Sequence, residues 1–516
     1  MAAALPEPGP EPGREPGLGV RLRAVAATHP DRVAVIECDG TRTTYAQLFA
    51  HASRVAHHLT GAGLEHGDRV AAWMDDGAAY VELYLAAALA GLVVVPLNAR
   101  HTVYEVRTLL DDCEPRALAW SAARSGDVEG LGELPDVRLC DGDAALGARS
   151  WADVTASGAT AFASRATPDD LLVVGYTSGT TGRAKGALLT HRSVQAITHQ
   201  HAAAYRLAPG STIAMTGSMS FVSVVPAHVL THLAVAGTIV FLGRWDVPSL
   251  IEDVERHRAT FTYLPSPVLD DFAEHAAKDP ARWASLRSVL HSASKAPPET
   301  LERLVSVIGT RLVEGWGMTE NSGGLITATT VADVEARATA GTLATVGRPL
   351  PGYDVRVVHD ELHVRGAGLA TGYWRRPEEW ARTFRDGWLA TGDIGTVDER
   401  GYVTLVERRT DLIVSGGMNV YPAEVEAVIA GVPGVAEVAV VGAPHPRWGQ
   451  AVVAVVVPVA GVDLDLDLVG QRCRERLAGY KKPTRIVLAS SLPRTVSLKV
   501  SRAAVRASVV GGPAGT

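Results

Sequence analysis

From Leu48 to Leu59 apolar residues return every three or four positions, the period of a helix with one buried face, and the next apolar run, RVAAWM (69–74), has the length of a strand. VELYLAAALAGL (81–92) again suits a helix and VVVPL (93–97) a strand. This alternation is the rhythm of β-α-β units around a parallel sheet. It recurs at TIAMTG (212–217), at TIVFL (238–242), and at TFTYLPS (260–266) followed by the helical pattern PVLDDFAEHAAK (267–278). A large α/β body is therefore expected to about residue 410. Beyond it the pattern contracts to helix YPAEVEAVIAG (421–431), strands VAEVAVVGA (435–443) and AVVAVVVPV (451–459), helix VGQRCRERLAG (469–479) and strand RIVLAS (485–490). That is enough for a small α+β domain of roughly 100 residues. DLDLDL (463–468) alternates like a strand but equally suits an acidic approach to the following helix.

The domain reading is thus a large body over 20–410 and a small domain over 411–508. Residues 1–19, rich in Pro, Gly and Glu, are read as a disordered N-terminal tail without the basic start and apolar core of a signal peptide, and 509–516 as a second tail. With 516 residues, 47% of them hydrophobic, the chain has material for more than one core. The net charge of -7 and the lack of a Lys/Arg tract argue against a nucleic-acid partner. The four cysteines have no CxxC spacing, so the expectation is a reduced, cytoplasmic protein without a disulfide framework or zinc site. No apolar run reaches membrane-spanning length.

One stretch changes the picture. YTSGTTGRAKGALLTH (176–191) follows the strand-like LLVVG. Gly179 and Gly182 permit positive φ, so backbone N–H groups can converge on an anion; Thr177, Ser178, Thr180 and Thr181 add hydroxyl donors and Lys185 a positive charge. The common phosphate loop GxxxxGK[ST] does not fit, because Ala184 stands where its second glycine belongs and Gly186 follows the lysine. On composition alone, a phosphate loop of another kind and a solvated Gly/Ser/Thr linker are both open.

The order of residues resembles the [ST]SGTTGxPKG loop of the adenylate-forming superfamily, which includes acyl-CoA synthetases. The resemblance continues through EGWGMTE (314–320), GRPLPG (347–352), TGDIG (391–395), RRTDLIVSGGMNVYPAEVE (408–426) and LPRTVSLKVSR (492–502). It implies a large N-terminal α/β body of parallel-sheet subdomains with a small mobile C-terminal α+β domain. It also implies two half-reactions: a carboxylate attacks the α-phosphate of ATP to give acyl-AMP, and a thiol, coenzyme A, then displaces AMP. Partners would be a carboxylic acid or acyl-AMP and CoA, and the protein a monomer or homodimer.

Residue by residue, the resemblance implies that Thr177 to Gly182 and Lys185 hold phosphates, and that Trp316 lies against adenine beside Glu314, Gly315, Gly317, Met318 and the stretch Ser292, Ala293 and Ser294. Thr319, Glu320 and Lys499 would be the catalytic groups, with Glu320 and Thr177 toward Mg²⁺. Asp393 and Arg408 would bind ribose, Asp411 would be the hinge, and Ser415, Gly416 and Gly417 would line the CoA tunnel. Phe221, Val222, Ser292 and Trp316 would surround the acyl group, and the small Val222, Ser292 and Ala293 suggest room for a bulky or polycyclic acid.

Several positions depart from the family pattern. Leu498 replaces the glycine before the lysine, Ala184 a proline, Glu407 a glycine, Lys295 occupies a usual proline site and Val222 a usual histidine or aromatic. Most bear on acyl-AMP formation, whereas the Ser-Gly-Gly face keeps the family residues. Three readings follow: a complete ligase with impaired adenylation, a ligase that takes a preformed acyl-AMP, and an inactive binding protein of the same fold.

Overall fold

The computed structural model describes residues 15–510 except Ser157, 178–183, Arg244, 293–295, Pro297, 338–340, 409–411, 494–499 and Ser501, and leaves out the side chains of Pro267, Pro298, 406–408, Ala423 and Ala503. The expectations placed on Ser178 to Gly182, Ala293 to Lys295, Asp411, Leu498 and Lys499 lie outside the described residues, as do residues 1–14 and 511–516.

Two sheets form the body. The first runs, in spatial order, Arg149–Ser150, Val137–Cys140, Ala117–Trp120, Arg69–Trp73, Val93–Pro96, Leu171–Thr177 and Lys185–Thr190, parallel throughout except for the last pair. The second has nine strands. Its central five, Leu312–Gly317, Ser288–His291, Phe261–Tyr263, Thr212–Met215 and Thr238–Phe241, are parallel, so their carboxyl ends share one edge. Such strands are covered on both faces and read as apolar runs, as TIVF and VAAW do. The helices Tyr45–Gly61 and Ala78–Ala90 supply the cover, and the first is locked by a reciprocal cap between Thr44 and Gln47.

A five-stranded antiparallel sheet spans Tyr353–Val358 to Val403–Arg408, inside the stretch read only as continuing α/β body. Its first strand, YDVRVV, alternates apolar and polar residues, unlike the continuous apolar runs of the parallel strands. The last sheet comprises Met418–Val420, Ile413–Ser415, Gly449–Pro458, Val435–His445 and Arg485–Leu488, with helices Pro422–Ala430 and Leu466–Arg476. The DLDLDL ambiguity resolves toward the helix, because Asp465 caps its first turn through Asp467 and Leu468 N–H.

Leu18 and Gly19, inside the stretch read as a disordered tail, are helical. A helix begins at Leu18, which is buried and donates its N–H to His191 Nδ1 at 3.1 Å, while Gly19 presses on the Ala88 carbonyl so closely that a Cβ would sit 2.7 Å from its oxygen. At the other end the helix Arg502–Val510 runs into the segment read as the second tail, with Val509 buried against the last sheet. Among the described residues no helix is long and apolar enough to cross a membrane.

Candidate active site

The shared carboxyl edge of the nine-stranded sheet opens into a cavity of about 790 Å³. Met215, Phe241, Tyr263, Leu290 and Gly317 close it from strand ends, and Gly416 to Asn419 of the last sheet close it from the opposite side. Ligands in open α/β sheets bind at this edge because the loops leaving the strands are the variable, functional ones.

Thr177 and Lys185, on either side of positions 178–184, face each other as the last pair of an antiparallel ladder, and both line the cavity. Thr177 Oγ1 donates to the Lys185 carbonyl at 3.4 Å. The Lys185 ammonium stands 2.8 Å from Glu379 and above the Tyr373 ring at 5.5 Å. Tyr373 donates to Glu320 Oε1 at 2.8 Å, and burial together with that carboxylate holds its phenol well above the usual range. Thr319 and Glu320 lie on a single 3₁₀ turn just after the strand Leu312–Gly317, and both face the cavity. The turn starts where it does because Gly317 touches its returning neighbour: a Cβ there would stand 2.0 Å from the Gly324 carbonyl oxygen.

Trp316 and Asp393 meet. The indole Nε1 donates to Asp393 Oδ2 at 2.9 Å, both side chains being buried, while the Asp393 N–H donates to Thr391 Oγ1 at 3.1 Å. Arg408 pairs with Asp393 across the antiparallel ladder, which places its backbone beside that carboxylate. Glu314 is turned away from the cavity. It accepts from His291 Nδ1 at 2.6 Å, and His291 Nε2 lies 2.8 Å from Ser266 Oγ. Burial raises the Glu314 carboxyl, partly offset by His291. Gly315 and Met318 complete the segment: Gly315 lies in the strand against Leu325, and Met318 lines the cavity.

Of the four residues expected around an acyl group, Phe221 and Ser292 line this cavity. Val222 does not; it faces a second cavity and packs so tightly on Gly175 that a Cβ there would meet its Cγ1 at 2.7 Å. Trp316 lines neither, because the carboxylate of Asp393 draws its indole inward. Ser415, Gly416 and Gly417 form a hairpin whose two-residue tip has φ of 59° and 77°, the positive values that favour Gly-Gly. The Gly416 N–H donates to the Trp448 carbonyl at 2.9 Å, which fixes the tip over the cavity mouth.

Behind that tip lies the second cavity, about 880 Å³, between the body and the last sheet. It shares Thr177, Phe221, Thr319, Gly417 and Asn419 with the first, so the two meet beside the turn that carries Thr319. Lys481, buried, bridges them structurally: it donates to Glu105 of the body at 2.8 Å and to Glu424 of the last sheet's helix at 2.7 Å. Burial alone would raise Glu105, but Lys481 and His101 outweigh it and hold its carboxyl below the usual range.

This body and its cap match known proteins along nearly their whole length. Residues 22–374 match the AMP-binding enzyme family and residues 424–499 the AMP-binding enzyme C-terminal domain. The chain belongs to this family. It falls among its acyl-CoA ligases, AMP-forming acid–thiol ligases of the adenylate-forming superfamily. It is 33% identical to a feruloyl-CoA synthase from Amycolatopsis over 90% of this chain and 94% of that protein. Among solved structures it resembles the amide bond synthetase McbA from Marinactinospora thermotolerans, with a TM-score of 0.87, 30% identity, 96% of this chain and 100% of that one covered. It also resembles a double mutant of o-succinylbenzoate CoA synthetase from Bacillus subtilis bound with its product analogue OSB-NCoA, with a TM-score of 0.83, 26% identity and coverage of 94% and 97%.

Sequence reasoning missed Asp76, His228, Tyr373, Glu379 and the Lys481 bridge. None carries a local motif; each reaches the site only through the fold. Asp76 follows the strand Arg69–Trp73, accepts from Met219 N–H at 2.7 Å and Ser218 Oγ at 3.0 Å, and opens on the cavity. Although the side chain is exposed at the cavity, the protein atoms packed around it raise its carboxyl to about 6, those hydrogen bonds opposing the shift. Among the described residues no cluster of three metal-ligating side chains occurs.

Proposed function

We propose that this protein joins a carboxylic acid to coenzyme A through an acyl-AMP intermediate, with the body spanning 20–410 and the cap 411–508. The observation that carries the reading is the meeting of two cavities at Thr319 and Gly417: one sized for an acyl adenylate, the other a path for a slender thiol. In the first half-reaction the acid's carboxylate oxygen attacks the α-phosphorus of ATP and pyrophosphate leaves. In the second the sulfur attacks the acyl carbon, the C–O bond to AMP breaks, and the thiol proton passes to solvent.

Thr177, Lys185 and the loop between them receive the phosphates. Glu379 pairs with Lys185 until phosphate replaces it, because a dianion outcompetes a single carboxylate for the ammonium. Asp393, oriented by the Trp316 indole, accepts from the ribose hydroxyls, and Trp316, which lines neither cavity, serves the nucleotide through that carboxylate and not by its ring. Arg408 stands beside it in the ladder. Lys499 neutralises the α-phosphate during adenylation. Glu320 and Thr177 offer hard oxygen donors on the cavity, a fit for Mg²⁺, which takes few protein ligands and completes its shell with phosphate and water. Bound there, the ion would neutralise phosphate charge. The glycine tip 416–417 lets pantetheine pass close to backbone.

The departures at Ala184, Lys295, Glu407 and Leu498 weigh on the first half-reaction. We therefore expect thioester formation from presented acyl-AMP to outpace ATP–pyrophosphate exchange with the same acid. Exchange as brisk as thioester formation overturns that imbalance, and no thioester from any acyl-AMP overturns the ligase reading. The likeness to an amide bond synthetase favours a second reading, in which an amine takes the thiol's place at the same acyl carbon. Supplying acyl-AMP with CoA and with primary amines in parallel, with mass detection of both products, separates the two.

A further inference from the structure

The deep wall of the first cavity holds a polar group that the ligase chemistry does not use. His228 sits on the π-helical turn Val225–Leu230, the irregular turn that swings its ring into the cavity wall. The side chain is 7% exposed, its Nδ1 is buried without a partner, and no described residue hydrogen-bonds either ring nitrogen. Most polar groups beside it are paired, His232 Nε2 being the exception. Tyr205 Oη lies 3.0 Å from His201 Nδ1, His201 Nε2 accepts the Leu325 N–H at 2.8 Å, His232 Nδ1 bonds the His228 carbonyl at 2.7 Å, and Tyr263 Oη donates to the Ser292 carbonyl at 3.4 Å. Buried polar groups are paired in the great majority of cases, so an imidazole with neither ring nitrogen paired, opening on a cavity, is a position suited to a ligand's polar group.

The surroundings define the ligand. Met215, Ala227, Phe241, Leu242, Leu290 and Leu325 supply the apolar part of the cavity wall, so the part of the occupant that meets it is hydrocarbon. The His228 ring lies 5.9 Å from Tyr263 at 29° and 5.7 Å from Tyr205 at 31°, a set of near-parallel faces that suits a flat ring. Burial, reinforced by His201 and His232, lowers the imidazole to about 3. It is therefore neutral at any working pH, with one donor and one acceptor, and offers no positive charge to a second carboxylate. A hydroxyl satisfies either tautomer.

We propose that His228 is a specificity-determining residue that hydrogen-bonds a neutral hydroxyl on an aromatic acyl group, at the end remote from the carboxylate. The assignment rests on the first cavity being the acyl site, and adds to that reading the substituent that the site selects. A matching hydroxyl completes the imidazole's bonding; an analogue without it leaves the imidazole unpaired, and a charged tail set against this neutral ring must lose its water there.

The test uses two pairs: 6-hydroxy-2-naphthoic against 2-naphthoic acid, and 4′-hydroxybiphenyl-4-carboxylic against biphenyl-4-carboxylic acid, with naphthalene-2,6-dicarboxylic acid as the charged control. Each is presented as its acyl-sulfamoyl adenosine, and binding to the full chain is measured by calorimetry. In at least one pair the hydroxylated member should bind wild type about tenfold tighter, the worth of one buried hydrogen bond, and the dicarboxylate should bind more weakly than either. H228L should bring the members of that pair within about twofold by weakening only the hydroxylated one, with an apo Tm equal to or above wild type, since it removes an unpaired buried polar group. H228Q should keep part of the preference. Equal or absent binding in both pairs, a preference that survives H228L, or a lower Tm for H228L with no change in the preference would each overturn the proposal. Thioester yield is scored separately, so a failure of CoA chemistry with the binding split intact strikes the ligase reading and leaves His228 standing.

Discussion

Two side chains show how the site is held at the scale of single residues. Trp316 donates its indole N–H to a buried carboxylate, so W316F deprives Asp393 of a charge-assisted bond while keeping most of the ring's area. A destabilisation of about 1–3 kcal/mol is expected, with KM for ATP rising more than KM for the acid; chemical denaturation and steady-state kinetics measure the two. Asp76 behaves in the opposite sense. Its carboxyl is raised to about 6 by the protein atoms packed around it, so the folded state binds the proton more tightly than the unfolded chain does. That contribution to stability is whole below the ordinary carboxylate value and is lost as pH climbs through about 6, above which a charged, confined carboxylate must be tolerated. D76N can still accept from Met219 and Ser218 and carries no charge. Its unfolding free energy should exceed wild type by more at pH 8 than at pH 5, on the order of 1 kcal/mol after discounting for the open cavity. An advantage independent of pH would refute the titration as its cause.

At the scale of elements, the hairpin Ile413–Ser415 to Met418–Val420 matters through its tip. Gly416 and Gly417 both have positive φ, and Gly417 lies where a Cβ would stand 3.9 Å from Pro265, so G417A meets little steric conflict and mainly a backbone cost of about 1 kcal/mol. Because the tip borders both cavities, thioester formation from acyl-AMP should fall at least about tenfold while pyrophosphate exchange stays within twofold, a split read from the two half-reaction assays. Equal losses in both would mean that the tip supports the fold and not the thiol path. The letters SGG resembled a tunnel face but gave no sign of a hairpin, and nothing marked the π-helical turn at Val225–Leu230. Its sequence VPAHVL reads as one more apolar run, and the register that aims His228 inward, and leaves Val222 on the other cavity, is set by packing against Tyr205 and Phe261.

Across the whole molecule, Lys481 ties the cap to the body through Glu105 and Glu424 in a buried cluster. E105Q keeps an acceptor for the Thr102 cap but weakens the charge that faces Lys481. It should loosen this pose, slow thioester formation several-fold, spare exchange, and increase protease cleavage between body and cap in limited digestion; unchanged cleavage and rate would show the bridge to be incidental. The order of blocks from Thr177 to Arg502 and the alternation of helix and strand were settled by the chain itself, because short-range periodicity and glycine chemistry are local properties. The antiparallel sheet between Tyr353 and Arg408 escaped, since its strands alternate apolar with polar residues and lack the continuous apolar runs of the parallel strands. What tertiary structure alone decided is which distant residues became neighbours: Trp316 with Asp393, Lys481 with Glu105, and His228 with an empty bonding place in an aromatic wall. Those pairings depend on burial and on distances across 77 to 376 positions of chain, and no local pattern of residues encodes them.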